Sequence, residues 1–139
     1  MMPLSSDRNT KSRPGETFRY PVLTGVTIYA GALVVLDVNG YAKPAVAATG
    51  LIAAGRAEER VVNAGASGSV SVLVRCGVYH YENSAGADEI TQAEVGDNCY
   101  IVNDETLAKT DATGTRSVAG RVVAVDNPTT DGVWVRLGV

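Results

Sequence analysis

The chain predicts an all-β fold: a compact β-barrel-like domain with an internal duplication of a strand-turn-strand unit and an extended N-terminal arm. Three observations carry that prediction. A stretch beginning at Gly31-Ala-Leu-Val-Val-Leu-Asp37-Val-Asn39-Gly40-Tyr-Ala-Lys43 recurs at Gly96-Asp-Asn-Cys-Tyr-Ile-Val-Asn103-Asp104-Glu105-Thr-Leu-Ala-Lys109. Each copy runs on to a Gly-Arg pair, Gly55-Arg56 and Gly120-Arg121. The offset is 65 at the leading glycines and at the arginines but 66 at the lysines, which predicts one extra residue in the second turn, where loops absorb insertions. The second observation is period-two alternation of apolar residues in many short runs separated by turn signals. The third is composition: Val, Ala, Gly and Thr dominate, with a single Trp and a single Phe, a bias suited to sheets joined by tight turns.

In chain order, residues 1–16 are nearly without apolar content after Leu4 and cannot bury enough surface to offset their own ordering entropy. They are expected to form a flexible, mildly basic arm carrying Arg8, Lys11 and Arg13, and residues 17–139 a single β domain. Phe18, Tyr20 and Val22 alternate in a first strand, and Val26 to Tyr29 form a second. Leu33–Val38 is apolar on both faces, so it belongs inside the domain or under an oligomeric neighbour. Asn39-Gly40 predicts a two-residue hairpin turn with positive φ at both positions, and Tyr41 to Pro44 return. Leu51–Ala57 and Val61-Val62 read as strands, and 63–68 as a loop.

Ser69 to Tyr81 reads as one long strand with Val70, Val72, Val74, Cys76 and Val78 on a shared face and a bulge or bend at Gly77. Asp88–Glu94 suits a single helical turn. The second copy fills 97–121, Arg121–Val125 extends its last strand, and Asn127–Gly132 turns into a final strand. That strand places Val133, Val135, Leu137 and Val139 inward, with Trp134 and Arg136 on the opposite face.

Composition also excludes function classes. A net charge of −3 offers no clustered basic face, so nucleic acid is not an expected partner. No apolar run approaches the roughly 20 residues of a membrane-spanning helix, and no membrane partner or secretory signal is expected. Cys76 and Cys99 lie in apolar alternations where a free thiol acts as a small hydrophobe, although pairing of the two stays open. His80, the only histidine, has just Glu82 near it on its strand, too few ligands for a metal. Asp37 and Asp104 sit at turns, where such side chains bond their own backbone more often than they act as paired catalysts. Gly65–Gly68 lacks the strand-loop-helix order of a phosphate loop. The chain therefore predicts no enzyme, no catalytic residue, no cofactor and no metal.

Two features stand above that background. Trp134 and Arg136, two residues apart on the outward side of the last strand, suit either packing on a neighbouring loop or an interface anchor. The basic arm suits either a disordered tail or a docking segment.

With these residues in view, the chain resembles the small head-decoration, or capsid cement, proteins of tailed bacteriophages. The resemblance rests on Tyr20-Pro-Val-Leu-Thr-Gly-Val leading into Ala30-Gly31-Ala-Leu-Val within Phe18–Pro44, on Gly50–Arg56, on Val70–Tyr79, on Val95-Gly-Asp97 and on Ala119-Gly-Arg121-Val. It covers most of the chain after the arm, and this chain is poorer in aromatics than the family. The resemblance implies a non-catalytic β-barrel-like domain, commonly a homotrimer, made in the host cytoplasm and bound to the outer capsid surface of the virion. The implied partner is the major capsid protein, whose subunit joints the domain would reinforce with help from the arm. The competing expectation is a carbohydrate- or receptor-binding β-module of a phage or cell surface, for which Tyr79, Tyr81 and Trp134 are the candidate stacking aromatics.

Overall fold

A computed structural model describes residues 2–138. Twelve strands appear in chain order: β1 (Thr17–Pro21), β2 (Thr27–Ile28), β3 (Leu33–Leu36), β4 (Ala42–Pro44), β5 (Ile52–Ala57), β6 (Val61–Val62), β7 (Ser71–Arg75), β8 (Gly77–Asn83), β9 (Asn98–Ile101), β10 (Thr106–Ala108), β11 (Val118–Val125) and β12 (Val133–Leu137). They form a five-stranded sheet ordered β1-β7-β5-β3-β4, a closed five-stranded barrel ordered β10-β8-β12-β11-β9, and a β2–β6 ribbon. The arm, residues 2–16, has no helix or strand and is exposed throughout. Met1 and the inward position expected for Val139 lie outside the described residues.

The duplication holds at the level of register. Leu33 pairs with Arg56, Val34 with Gly55 and Val35 with Ala53, and a bulge falls between the last two pairs. Sixty-five residues on, Asn98 pairs with Arg121, Cys99 with Gly120 and Tyr100 with Val118, with a bulge in the same place. The hairpin partners correspond too, Leu36–Ala42 with Ile101–Leu107 and Val35–Lys43 with Tyr100–Ala108. The offset is thus 65 throughout, and the extra residue expected in the second turn is absent: Lys43 matches Ala108, while Lys109 falls beyond β10. Each Gly-Arg glycine sits where strands approach closely. A Cβ at Gly55 would lie 2.5 Å from the Arg75 carbonyl oxygen, and one at Gly120 closer still to the Arg136 carbonyl.

The repeat is larger than the sequence reading. β7 pairs with β5 through Arg75–Arg56, and β12 pairs with β11 through Arg136–Arg121. β1 pairs with β7 through Phe18–Val74 and Tyr20–Val72, and β8 with β12 through Tyr79–Val135 and Tyr81–Val133, each an offset of 61. Residues 17–75 and 78–136 are therefore two copies of one five-stranded unit in the same strand order. The second unit closes into a barrel through a parallel contact between its first and third strands, and the first unit makes only the start of that contact. In the second unit Thr106 pairs with Glu82 and Leu107 with Asn83, and Glu82 N–H bonds the Glu105 carbonyl. In the first only the single bridge Val22–Ala42 forms. The residue matching Glu82 is Pro21, which has no N–H to donate, so the ladder stops there.

The expected long strand at Ser69–Tyr81 is two strands in two sheets. Val72 and Val74 point into the first unit, Cys76 ends the run, and Gly77 (φ 157°) redirects the chain. Beyond it the inward side changes: Val78 is exposed and Tyr81 is buried, contrary to the face expected for Val78. The Asn39-Gly40 turn also differs from its prediction. Only Gly40 has positive φ, and Gly40 N–H bonds the Asp37 carbonyl, giving a three-residue loop. The Asp37 carboxylate selects that geometry by accepting the N–H groups of Asn39 (2.9 Å) and Tyr41 (3.0 Å). Val38, expected within the apolar strand, lies on this loop and is 84 % exposed. The helical turn expected at Asp88–Glu94 is two 3₁₀ turns, Gly86–Asp88 and Gln92–Glu94. Asn83 holds the intervening chain extended, receiving Ile90 N–H (2.9 Å) and donating to the Ile90 carbonyl (2.8 Å).

The two-faced apolarity of β3 has a structural reason. Leu33 and Val35 pack into one core with Ile101, Leu107, Val133, Val135 and Leu137 of the second unit. Val34, on the other face, packs with Val22, Ile28, Val72 and Val74. Full burial of each such side chain contributes about 1.5–3 kcal/mol, so β3 couples the units as well as belonging to one. Polar ties reinforce the seam: Ser117 Oγ accepts Leu51 N–H (3.1 Å) and donates to the Ala48 carbonyl (2.6 Å), and Tyr81 donates to the Gly31 carbonyl (3.2 Å).

Candidate interaction face

Strict alternation in β12 buries Val133, Val135 and Leu137 and turns Trp134 and Arg136 outward, as expected. Neighbouring strands complete a face around them. His80 of β8 lies opposite Trp134 and Val78 opposite Arg136, while Arg121 of β11 lies opposite Arg136 on the other side. Val123 is the extra residue of a β11 bulge beside them. Trp134 and Val123 are each 41 % exposed and Val78 is 38 % exposed. Three half-exposed apolar side chains and two arginines thus share the outer surface of the second barrel.

Trp134 packs against its own loop and strand neighbour, the first of its two expected roles. Its Nε1–H donates to Asp126 Oδ1 (3.2 Å), and its ring meets His80 edge-on with centroids 4.9 Å apart. Asp126 Oδ2 lies 2.7 Å from His80 Nε2. The indole is therefore held by its own loop while much of its area stays in contact with solvent. That preorganisation lowers the entropy lost when such a ring is covered. Arg136 does not stack on Trp134. The arginine-on-ring contacts among the described residues are Arg13 on Phe18, Arg56 on Tyr79 (4.2 Å) and Arg60 on Tyr29.

The remaining candidates fall elsewhere. Arg8 and Lys11 are exposed on the arm, and no hydrogen bond or ion pair among the described residues joins them to Trp134 or Arg136. Arg13 folds back on Phe18 of the first unit. Asp37 is a turn cap, and Asp104 offers its backbone carbonyl to Leu33 N–H. Among the described residues no three His, Cys, Asp or Glu side chains gather as a metal site. His80 is bonded to Asp126, with no hydroxyl or thiol hydrogen-bonded to it. Cys76 and Cys99 are free and buried, and burial pushes the Cys99 thiol up to about 12. The three stacking aromatics are separated: Tyr81 is buried, Tyr79 lies under the Arg56 guanidinium on the inward side of β8, and Trp134 points outward. No helix among the described residues is long and apolar enough to cross a membrane.

Sequence reasoning missed Arg121, Val123, Val78 and His80 as neighbours of Trp134. One signal was present: Val72-Leu-Val-Arg75 and Val133-Trp-Val-Arg136 share a Val-x-Val-Arg pattern at an offset of 61. No family model matches the chain, and neither curated proteins nor solved structures give a significant match.

Proposed function

We propose that this protein is a structural decoration protein of a tailed-bacteriophage head, seated on the outer capsid lattice and reinforcing contacts between major capsid subunits. The observation that carries the reading is the β8–β12–β11 face: an anchored, half-exposed Trp134 with Val78, Val123, Arg121 and Arg136 on the outside of the closed barrel. Aromatic and arginine side chains at a patch centre are what a stable protein interface uses. A core shared between the sheet and the barrel joins the two units into one body, which suits a clamp. The exposed arm adds a second, flexible attachment. A standard interface buries about 1,600 Å² in total, and homotrimer formation and lattice docking would divide that area between face and arm.

The test is co-sedimentation with phage heads produced alongside the protein, comparing wild type, Trp134→Ala and a variant lacking residues 1–16. Binding should fall at least about tenfold for Trp134→Ala, as for a hot spot. The arm deletion should fold normally and attach more weakly. Wild-type protein that never sediments with heads refutes the reading. The same samples in light scattering test the homotrimer: a wild type that is monomeric at high concentration, both free and on heads, overturns it.

A further inference from the structure

The two units differ at one place where their backbones agree. In the first, the cross-strand arginines Arg56 and Arg75 are each matched by a carboxylate. Arg56 Nη2 meets both oxygens of Glu58, at 2.9 and 3.0 Å, and Arg75 Nη2 lies 3.4 Å from Glu16. In the second unit the same two strand positions again hold arginines, Arg121 and Arg136, directly opposite one another. The positions matching Glu58 and Glu16, by the offsets of 65 and 61, are Val123 and Gly77. Both carboxylates are gone. The other strand neighbours are Asn98 beside Arg121 and Val78 beside Arg136, and neither arginine forms an ion pair among the described residues.

Like charges directly opposite on adjacent strands destabilise a sheet. The first unit offsets that repulsion within the chain and the second does not. Both residues are exposed, on a chain whose net charge is −3, so the pair is a local positive site on an otherwise acidic protein. We infer that Arg121 and Arg136 form a binding site for carboxylates supplied from outside the chain, in an extended acidic segment of a partner protein, with the Arg56–Glu58 and Arg75–Glu16 pairs as the internal template. The Arg56–Glu58 pair, with both carboxylate oxygens at hydrogen-bonding distance, shows the strong charge-assisted contact the site would make. Val123 and Trp134 flank the pair and would cover the apolar stems of the bound segment. This deepens the docking-face reading above and rests on it.

The experiment titrates the full chain with acetyl-Glu-Val-Glu-Val-Glu-amide, whose alternate carboxylates share one side of an extended strand. Arginine side-chain and backbone NMR shifts report the site. Shifts should centre on Arg121, Arg136 and Val123, weaken as salt is raised, and need at least about tenfold more peptide in Arg121→Gln/Arg136→Gln. Val123→Glu restores in the second unit the carboxylate position of the first and should also weaken binding. Amide spectra of each variant verify the fold. No saturable shift in the wild type, shifts that leave Arg121 and Val123 unmoved, or equal binding by both variants overturns the inference. So does equal occupancy by inorganic sulfate, which would make the site one for any small anion. If the peptide fails while Trp134→Ala still abolishes head binding, the carboxylate site is refuted and the docking face stands.

Discussion

Replacing Ser117 by alanine tests whether the two units are held together by specific bonds as well as by a shared core. Its hydroxyl is nearly buried and bonds twice across the seam, accepting Leu51 N–H and donating to the Ala48 carbonyl. Alanine removes one oxygen, so the cavity cost is small and the loss is that of two backbone groups left without a partner. A buried orphan group costs roughly 1–3 kcal/mol, and both of these groups lie in a half-buried loop that water reaches in part. The low end applies to each, for a total near 2 kcal/mol. Against the roughly 5–15 kcal/mol stability of a typical domain, that loss is readily measured. Urea titration should show the midpoint falling at unchanged slope, in one transition, because β3 lies in both cores. A change under about 0.5 kcal/mol, or two separate transitions in the wild type, would refute the reasoning.

Gly120→Ala should destabilise the fold by about 2–3 kcal/mol, since the new Cβ would press on the Arg136 backbone carbonyl; a melting temperature equal to wild type argues against the close approach. Gly55→Ala meets the Arg75 carbonyl in the same way and should behave alike. Ellman's reagent at pH 8 should leave Cys99 unmodified in the native protein and label it after denaturation, because burial keeps its thiol protonated; rapid native labelling contradicts this. Glu94 accepts Thr91 N–H (2.8 Å) and the Thr91 hydroxyl (2.9 Å), which hold its carboxyl below the usual range, with Lys109 a lesser influence. Its contribution is present above the unfolded value of about 4.3 and is lost as pH falls through the lower folded value, so Glu94→Gln should flatten the acid limb of the stability curve. An unchanged acid limb would show that the bond carries no linkage.

Much of this fold was legible because period-two alternation is a strict signal. Val133, Val135 and Leu137 went inward and Trp134 and Arg136 outward as read. The Gly-Arg pairs marked equivalent strands because only glycine fits against the neighbouring carbonyl there. The same signal hid the boundary between the units. Apolar residues at 70, 72, 74, 76 and 78 continue one period through Cys76 and Gly77, where the backbone leaves one sheet for another. The extent of the repeat was obscured by the offset changing from 65 to 61, as the connection from β5 to β7 is longer than that from β11 to β12. The Asn39-Gly40 turn failed for a different reason: the Asp37 side chain outbid the local dipeptide preference. The interaction face needed the structure, since Arg121, Val78 and Trp134 come from three strands with no shared motif.

The most direct test of the proposed role is electron cryomicroscopy of phage heads formed in the presence of this protein, compared with heads formed without it. Additional density should appear at symmetry-repeated positions on the outer lattice, shaped as a five-stranded barrel fused to a five-stranded sheet. The β8–β12–β11 face should lie against a capsid subunit or a second copy, with the arm ordered along the shell. Heads with identical outer surfaces in the two preparations, or density whose contacts avoid Trp134, Arg121 and Arg136 altogether, would contradict it.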